Sequence, residues 1–183
     1  SPSNGILIAD EVGLGKTIEA GLIWTELRSR FDFRRLMVLC PAMLREKWQF
    51  ELKNKFGISG EILDAKEALK QFKESISGQR NELSIIASFQ GLRPRRGWNE
   101  DDSDNNDNAS KLARFIDEVA YENPLLDLLI IDEAHYLRNP ESMTSKLGRL
   151  LRQVAENITL LSATPIQLRS RDLYQLLNLV DQS

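Results

Sequence analysis

GILIADEVGLGKT, residues 5–17, joins a short apolar segment to a glycine-rich loop that ends in lysine and threonine. Residues 5–9 predict a buried strand, and the residues from Lys16 onward predict a helix. Glycines let the backbone N–H groups of such a loop turn toward phosphates, and the helix N-terminus adds its positive dipole. The order of strand, loop and helix therefore predicts a nucleotide-phosphate site.

The side chains that close this loop predict how it holds the phosphates. Lys16 is expected to reach the β and γ phosphates, and the Thr17 hydroxyl is expected to bind Mg²⁺. The strict phosphate-loop pattern begins with glycine, where this chain has Asp10. The alternative is a chance Gly-Lys-Thr in a turn, which the flanking strand and helix disfavour. The predicted phosphate-binding residues are Asp10, Glu11, Val12, Gly13, Leu14, Gly15, Lys16 and Thr17.

Short apolar runs alternate with amphipathic stretches along the rest of the chain. Buried strands are predicted over residues 5–9, 36–40, 83–87, 126–131 and 158–161. Helices are predicted over residues 16–29, 42–55, 65–73, 111–120, 141–156 and 171–180. Asp64 and Glu67 predict a capping box at the start of the third helix. The alternation predicts an α/β fold in which helices cover both faces of a parallel sheet and ligands bind at the carboxyl ends of the strands.

Composition bounds the size and the charge of the domain. The 183 residues are 42% hydrophobic, which suffices for one buried core, so we expect a single domain over residues 1–183. Lysine and arginine total 24 against 27 acids, which excludes a protein that binds nucleic acid by bulk charge alone. Five of the acids lie in residues 99–108, which contain no apolar side chain, and the remaining 22 nearly balance the bases. We expect residues 99–109 to form a mobile acidic insert; a functional acidic segment is the alternative.

The chain has one cysteine and one histidine, which excludes an internal disulfide and the common zinc patterns. It has no run near the roughly 20 apolar residues of a membrane span, and it does not open with a signal segment. These features predict a protein of the prokaryotic cytoplasm or the eukaryotic nucleus that contacts no membrane. Because the chain begins in a predicted strand and stops in a predicted helix, we expect it to be part of a longer protein.

Two adjacent carboxylates are predicted at the end of a buried strand, directly after the apolar residues 128–131. Asp132 is expected to hold Mg²⁺ through its water shell. Glu133 is expected to orient and activate the water that attacks the γ-phosphate. The alternative, two acids that begin a surface helix, does not explain the four apolar residues before them.

His135 follows these carboxylates, and a histidine in such a place is predicted to act with them. The predicted strand 158–161 leads into Ser162 and Thr164, whose hydroxyls are expected to meet His135. Such a contact would report the state of the γ-phosphate to the rest of the protein. Without the other motifs, Ser-Ala-Thr-Pro would be interpreted only as a turn.

Five segments, in this order along the chain, resemble helicase motifs I, Ia, Ib, II and III. They are residues 10–17, 40–44, 85–89, 132–135 and 161–167. The Asp-Glu pair before Gly-Leu-Gly-Lys-Thr, together with Trp48 and Glu51 after Cys-Pro-Ala, is more similar to the Swi/Snf family than to the RNA helicases. The segment DEVGLGKTIEAGLI, residues 10–23, is most similar to the prokaryotic, RapA-like branch of that family.

The resemblance implies a RecA-like P-loop NTPase domain, the first of two lobes of an enzyme that hydrolyses ATP with Mg²⁺. It implies translocation on double-stranded DNA and remodelling of protein–DNA complexes, with RNA polymerase or another DNA-bound complex as the partner. The family's upstream glutamine motif is absent from these residues, as are motifs IV to VI with the arginine finger of the second lobe. We therefore expect residues 1–183 alone to turn over ATP poorly. The coupling residues that the resemblance implies are His135, Ser162, Thr164 and Gln167.

The same resemblance assigns DNA contacts to motifs Ia and Ib. A physical reason is visible at residues 41–44, where amide groups at a helix N-terminus are suited to hold a phosphate. The neighbouring arginines are equally well explained as a solvated surface of ion pairs beside the acidic insert. The predicted DNA contacts are Pro41, Ala42, Met43, Ser88 and Arg93, and Arg95 and Arg96 would extend the track.

Two tryptophans are predicted to belong to the core rather than to a binding site. Trp48 shares one helical face with Leu44 and Leu52, and Trp24 lies on a comparable row of the first helix. Neither is given a binding role. An aromatic side chain at helical spacing is more often a packing residue than a ligand contact.

Other functions remain open at this point. A restriction-translocase subunit or an RNA helicase lobe would share the nucleotide motifs, and sequence after residue 183 would distinguish them. A nucleotide- or partner-binding module without turnover is the alternative for these residues alone. Lys16 and Glu133 favour an enzyme for the longer protein, whereas the absence of a second lobe favours the binding module.

Overall fold

Six parallel strands form one sheet in the computed structural model, which describes residues 4–9, 15–100, 105–162, 176 and 178. The order across the sheet is β1-β6-β5-β2-β4-β3. Each pair of neighbouring strands is parallel, which confirms the predicted sheet. The strands are β1 (Asn4–Ala9), β2 (Arg35–Cys40), β3 (Glu61–Ile62), β4 (Leu83–Ser88), β5 (Leu126–Ile131) and β6 (Ala155–Ser162).

Helices connect these strands. The predicted helix over residues 42–55 begins as a 3₁₀ turn, Ala42–Leu44, before the α-helix starts. The predicted helix over residues 171–180 lies outside the described residues, apart from Leu176 and Asn178, which are helical. The helices are α1 (Lys16–Phe31), α2 (Arg45–Phe56), α3 (Ala65–Ile76), α4 (Phe89–Leu92), α5 (Asn108–Val119) and α6 (Met143–Gln153).

The sheet separates two apolar cores. Alternate residues of β2 belong to different cores, as the two-residue period of a strand requires. Leu36 and Val38 pack in the core that contains Trp24 of α1 and Trp48 of α2. Met37 and Leu39 pack in the core formed with α3, α5 and α6. The predicted cover of helices on both faces is therefore confirmed, and so is the core position of both tryptophans.

The capping box predicted for α3 is present. The Asp64 carboxylate accepts a hydrogen bond from the Glu67 N–H at 2.8 Å, and the Glu67 carboxylate accepts one from the Asp64 N–H at 3.2 Å. The two side chains satisfy backbone donors that the first helical turn leaves without partners. This fixes the start of α3 where the sequence placed it.

The helix after the acidic segment starts three residues earlier than predicted. Asp107 accepts hydrogen bonds from the Ser110 N–H at 2.9 Å and the Ser110 hydroxyl at 2.8 Å, so α5 begins at Asn108. Arg114 donates to the carbonyls of Trp98 and Asn105, which ties both flanks of the segment to the helix. Residues 105–109 thus belong to the folded domain and are not part of a mobile insert, whereas residues 101–104 of the insert expected over 99–109 lie outside the described residues.

Removal of the α5 cap should lower stability measurably. Burial raises the pKa of Asp107. The hydrogen bonds from Ser110 and the charge of Arg95 together lower it by more than burial raises it, so the pKa lies below its usual value. We expect Asp107→Ala to destabilise the domain by about 0.5–2 kcal/mol at pH 7, measured by urea denaturation. A carboxylate with a lowered folded-state pKa stabilises the protein above its unfolded pKa, near 4, and this stabilisation disappears as pH falls through the folded value. The difference from wild type should therefore shrink below about pH 4, whereas Asp117→Ala, exposed on the same helix, should show neither effect.

Candidate nucleotide-binding site

Three strand ends meet at one edge of the sheet and bring the predicted nucleotide motifs together. The phosphate loop follows β1, the two carboxylates follow β5, and β6 lies between these strands. Ala9 at the end of β1 pairs with Ser162, and Ile131 at the end of β5 pairs with Leu160. This is the edge at which parallel α/β sheets bind ligands.

The described part of the phosphate loop is its carboxyl end. Asp10, Glu11, Val12, Gly13 and Leu14 lie outside the described residues. Gly15 precedes α1, Lys16 is the first residue of that helix, and Thr17 follows, partly buried. Lys16 is only 4% exposed. Lysine is almost never so buried unless an anion compensates its charge, which fits a phosphate.

The Asp132 carboxylate is held in place on both oxygens. Its backbone N–H donates to the Leu39 carbonyl at 2.8 Å, which continues the pairing of β5 with β2. Oδ1 accepts from the Glu133 N–H at 2.8 Å, and Oδ2 accepts from Trp48 Nε1 at 2.8 Å. A carboxylate offers about four lone-pair positions, so acceptor capacity remains for waters around a cation. The arrangement fits the predicted role of Asp132 toward hydrated Mg²⁺.

Glu133 turns the chain sharply away from the sheet. Its backbone has φ 52° and ψ 48°, a left-handed conformation that is uncommon for residues other than glycine. The 3₁₀ turn Ala134–Leu137 follows at once, and the Glu133 carbonyl accepts from the Tyr136 N–H at 3.0 Å. Such strain persists only where the surrounding fold imposes it, and it concentrates at functional sites. The turn keeps Glu133 at the strand end rather than in a helix.

His135 lies beside Glu133, as its place in the motif indicates. Its Nδ1 is 3.3 Å from Glu133 Oε2, close enough for an ion pair when the imidazole is protonated, although the geometry is not that of a hydrogen bond. The ring stacks on Tyr136 with centroids 4.8 Å apart. The Ser162 hydroxyl is buried at the end of β6 and has no hydrogen-bond partner within the described ranges. Thr164 and Gln167 lie outside those ranges, so the contact between His135 and these groups stays a prediction.

The Cys40 thiol lies close enough to Asp132 for the carboxylate charge to raise its pKa. Cys40 ends β2, next to β5, and its thiol donates weakly to the Ala87 carbonyl at 3.7 Å. Burial raises the pKa of this thiol to about 12, the Asp132 charge adds to the rise, and Arg45 opposes it. Cys40 is therefore a neutral thiol at physiological pH and a packing residue rather than a nucleophile or metal ligand.

The contact between Trp48 and Asp132 was missed by the sequence interpretation, which gave Trp48 a packing role only. Periodicity identifies the buried face of a helix but not the partner of a polar atom on that face. The available signal was the indole N–H, since a buried tryptophan usually gives its N–H a partner. Trp48 is 2% exposed and joins α2 directly to the carboxylate after β5.

The predicted DNA contacts lie at the neighbouring strand ends, after β2 and β4. The 3₁₀ turn Ala42–Leu44 carries Met43, which is 87% exposed, and the Ala42 N–H donates to Gln90 Oε1 at 3.1 Å. Ser88 is buried, and its hydroxyl caps α4 by accepting from the Gly91 N–H at 2.9 Å. The Ser88 hydroxyl and the Ala42 amide thus have partners inside the fold.

The arginines of the predicted DNA track are exposed, and they also have partners within the chain. Arg93 lies 3.4 Å from the Thr144 hydroxyl, and Arg96 lies 3.5 Å from the Glu141 carbonyl. Hydrogen bonds of this length hold a guanidinium only weakly. Both alternatives, a DNA track and a solvated surface, therefore remain compatible with the structure.

The donors described at this edge are of the kind that Mg²⁺ binds. Among the described residues, no three His, Cys, Asp or Glu side chains cluster as a metal site. Mg²⁺ keeps several waters and takes only one or two carboxylates together with substrate phosphates. Asp132, with an oriented carboxylate, and the Thr17 hydroxyl are ligands of the kind it requires.

Comparison with known proteins decides the family. A model of the SNF2-related domain matches residues 1–183, the whole of the chain. The chain belongs to the SNF2-related domain family. The resemblance to the Swi/Snf family inferred from the motifs is thereby confirmed. Within the described part of this SNF2-related chain, no helix is both long and apolar enough to span a membrane.

Two relatives extend the comparison. The SNF2-related chain is 31% identical over 179 residues to the RNA polymerase-associated protein RapA of Vibrio atlanticus (strain LGP32). The matched segment covers 96% of this chain and 16% of that relative. It is similar to the Sulfolobus solfataricus SWI2/SNF2 ATPase core in complex with dsDNA, with a TM-score of 0.64 and 20% identity over 97% of this chain and 31% of the other. The structural likeness confirms the RecA-like fold. The chain spans about a sixth of the length of the curated relative.

Proposed function

We propose that this SNF2-related chain is the ATP-binding lobe of an ATP hydrolase that depends on double-stranded DNA. The whole protein would translocate on DNA and remodel protein–DNA complexes. The observation that carries the proposal is the Asp132 carboxylate, held on both oxygens at the sheet edge to which β1 also leads the phosphate loop. Family membership and the burial of Lys16 support it.

Each residue at this edge has a role in phosphoryl transfer. Lys16, at the N-terminus of α1, would neutralise the β and γ phosphates. Thr17 and Asp132 would hold Mg²⁺, which stabilises the charge that develops on the phosphates when it is bound. Glu133 would orient the attacking water and accept its proton. The predicted loop residues 10–14 would supply backbone N–H groups to the same phosphates.

Coupling between the nucleotide and the rest of the protein is assigned to His135, Ser162, Thr164 and Gln167. His135 is close to Glu133, so a change at the γ-phosphate would alter its surroundings first. Ser162 ends the strand that separates β1 from β5, and its buried hydroxyl lacks a partner among the described residues. A hydroxyl in that state is available to form a new bond when the site rearranges.

The DNA would lie across the ends of β2 and β4, next to the nucleotide edge at β5. Contacts are proposed with the exposed turn at Met43 and its neighbours Pro41 and Ala42, and with Ser88 and Arg93. Hydrogen bonds to phosphates would position the duplex without reading its sequence. The adjacent order β5-β2-β4 places the two ligands side by side on one sheet edge.

The partner class is inferred from the relative whose printed name is RNA polymerase-associated. We propose a DNA-bound protein complex, such as RNA polymerase, as the target of the whole protein. The bacterial source of that relative favours the prokaryotic cytoplasm as its location.

Lys16→Ala tests the nucleotide site directly. The substitution removes the buried ammonium from the start of α1, and a hydrogen bond to a charged group contributes about 1.5–3 kcal/mol, so affinity for Mg·ATP should fall at least about tenfold. Isothermal titration calorimetry measures this. Lys66→Ala, which removes the same charge from an exposed position on α3, is the matched control and should bind as wild type does. Equal affinity of Lys16→Ala and wild type would contradict the assignment of this loop.

A further inference from the structure

Trp48 makes its single polar contact with the carboxylate proposed to hold the metal. The indole N–H is the only hydrogen-bonding group of the side chain, and it donates to Asp132 Oδ2 at 2.8 Å. The two residues are 84 positions apart in the chain. The bond ties the first turn of α2, which begins at Arg45 directly after the turn Ala42–Leu44, to the end of β5.

Packing alone does not explain this contact, because a second tryptophan in the same core lacks an equivalent. Trp24 and Trp48 are each 2% exposed and belong to the same apolar cluster. Trp24 Nε1 is buried without a hydrogen-bond partner among the described residues. Within the described residues, the same core therefore contains one indole whose N–H has no partner. The orientation of Trp48 toward Asp132 is a specific feature of that position.

The chemistry of the donor suits a carboxylate that must also bind a cation. An indole N–H is neutral, so it fixes the orientation of Asp132 and leaves the full negative charge for the metal. A lysine or arginine in its place would neutralise that charge. Arg45, in the same turn of α2, donates its Nε–H to the Ala42 carbonyl at 3.0 Å, and no ion pair joins it to Asp132 among the described residues. The Glu133 N–H, also uncharged, holds the other carboxylate oxygen.

We propose that Trp48 is a positioning residue that orients the Asp132 carboxylate for Mg²⁺. This inference rests on the nucleotide site proposed above. Groups that hydrogen-bond a metal ligand fix its direction, and their loss typically costs 10-fold to 100-fold in metal affinity. Without the N–H, Asp132 keeps the bond from Glu133 on one oxygen only and can rotate out of the productive orientation.

The test compares Trp48→Phe with Trp24→Phe in the full 183-residue chain. Both substitutions keep an aromatic ring in the same core, and only the first removes a hydrogen bond. Affinity for ADP is measured by calorimetry with Mg²⁺ and again with EDTA, and the ratio of the two gives the contribution of the metal. We expect wild type and Trp24→Phe to share one ratio. In Trp48→Phe this ratio should be about 10-fold to 100-fold smaller than in wild type, and the ADP affinity measured with EDTA should be unchanged.

The outcomes separate the two proposals. A ratio in Trp48→Phe equal to that in Trp24→Phe would overturn the positioning role while leaving the nucleotide site intact. The same would follow from an equal loss of affinity with and without Mg²⁺, because that is the signature of general damage. Absence of any ADP binding by the wild-type chain would instead overturn the nucleotide site, and the inference with it.

A second measurement keeps the test decisive if Trp48→Phe does not fold. The double variant Trp24→Phe/Trp98→Phe leaves Trp48 as the only tryptophan of the chain. Its emission should change when Mg²⁺ and ADP are added together, and not when ADP is added with EDTA. Emission that is unchanged by Mg²⁺ would overturn the proposal.

Discussion

Residues 1–183 in isolation are expected to hydrolyse ATP at least about 10³-fold more slowly than a two-lobed form of the protein. Phosphoryl transfer needs positive charge on both sides of the γ-phosphate, and an arginine finger is typically worth 10³ to 10⁵ in rate. Lys16 begins α1 and Asp132 and Glu133 follow β5, so all three lie at one edge of one sheet. They would approach a bound nucleotide from a single side, so we expect the opposing charge to come from another part of the protein.

The measurement is steady-state phosphate release by both forms, with and without long duplex DNA. Single-stranded DNA of the same length is the control for a nonspecific effect of polyanions. Little turnover and little stimulation are expected for the 183 residues, and both are expected for the two-lobed form. Robust DNA-stimulated turnover by the short form would contradict the prediction. A specific rate that increases with protein concentration would then indicate that a second copy supplies the missing charge.

Most of the sheet was predictable because its central strands, β2, β4 and β5, are short, mainly apolar and almost wholly buried. Two elements, β3 and α4, were not predicted from the sequence, for a physical reason. β3 has only two residues, Glu61–Ile62, and α4 has one turn, Phe89–Leu92, so neither is long enough to show a period. Pairing along the sheet also overrode local preference. Residues 155 and 156 were predicted as the end of a helix, but Ala155 pairs with Leu126 and begins β6 instead.

The members of the candidate site could be named from sequence, whereas their geometry could not. Motif spacing identified Lys16, Asp132 and Glu133, but chain order does not give the position of β6 between β1 and β5. The left-handed backbone of Glu133 has no sequence signal, because glutamate is not a residue that favours it. The bond between Trp48 and Asp132 joins α2 to the end of β5 across 84 positions of the chain. Such distant pairs are properties of the fold rather than of any local pattern.

Glu133→Gln in the two-lobed form is expected to reduce turnover by at least about 100-fold and to leave nucleotide affinity nearly unchanged. The amide has the shape of the carboxylate and keeps the turn after β5, but it cannot accept the proton of the attacking water. General-base catalysis typically contributes 10²-fold to 10⁴-fold, which sets the expected loss. Binding should persist because Lys16, Thr17 and Asp132, which are proposed to hold the phosphates and Mg²⁺, are untouched.

Two assays on the same preparation separate binding from chemistry. Calorimetry with Mg·ATP reports affinity, and single-turnover phosphate release with saturating duplex DNA reports the chemical step. Glu118→Gln, which makes the same change at an exposed position on α5, is the matched control and should behave as wild type. Loss of affinity together with turnover would show that Glu133 supports the site structurally, through its strained turn. Near-normal hydrolysis would mean that another group activates the water, and His135, whose Nδ1 lies 3.3 Å from the Glu133 carboxylate, would be the first residue to test.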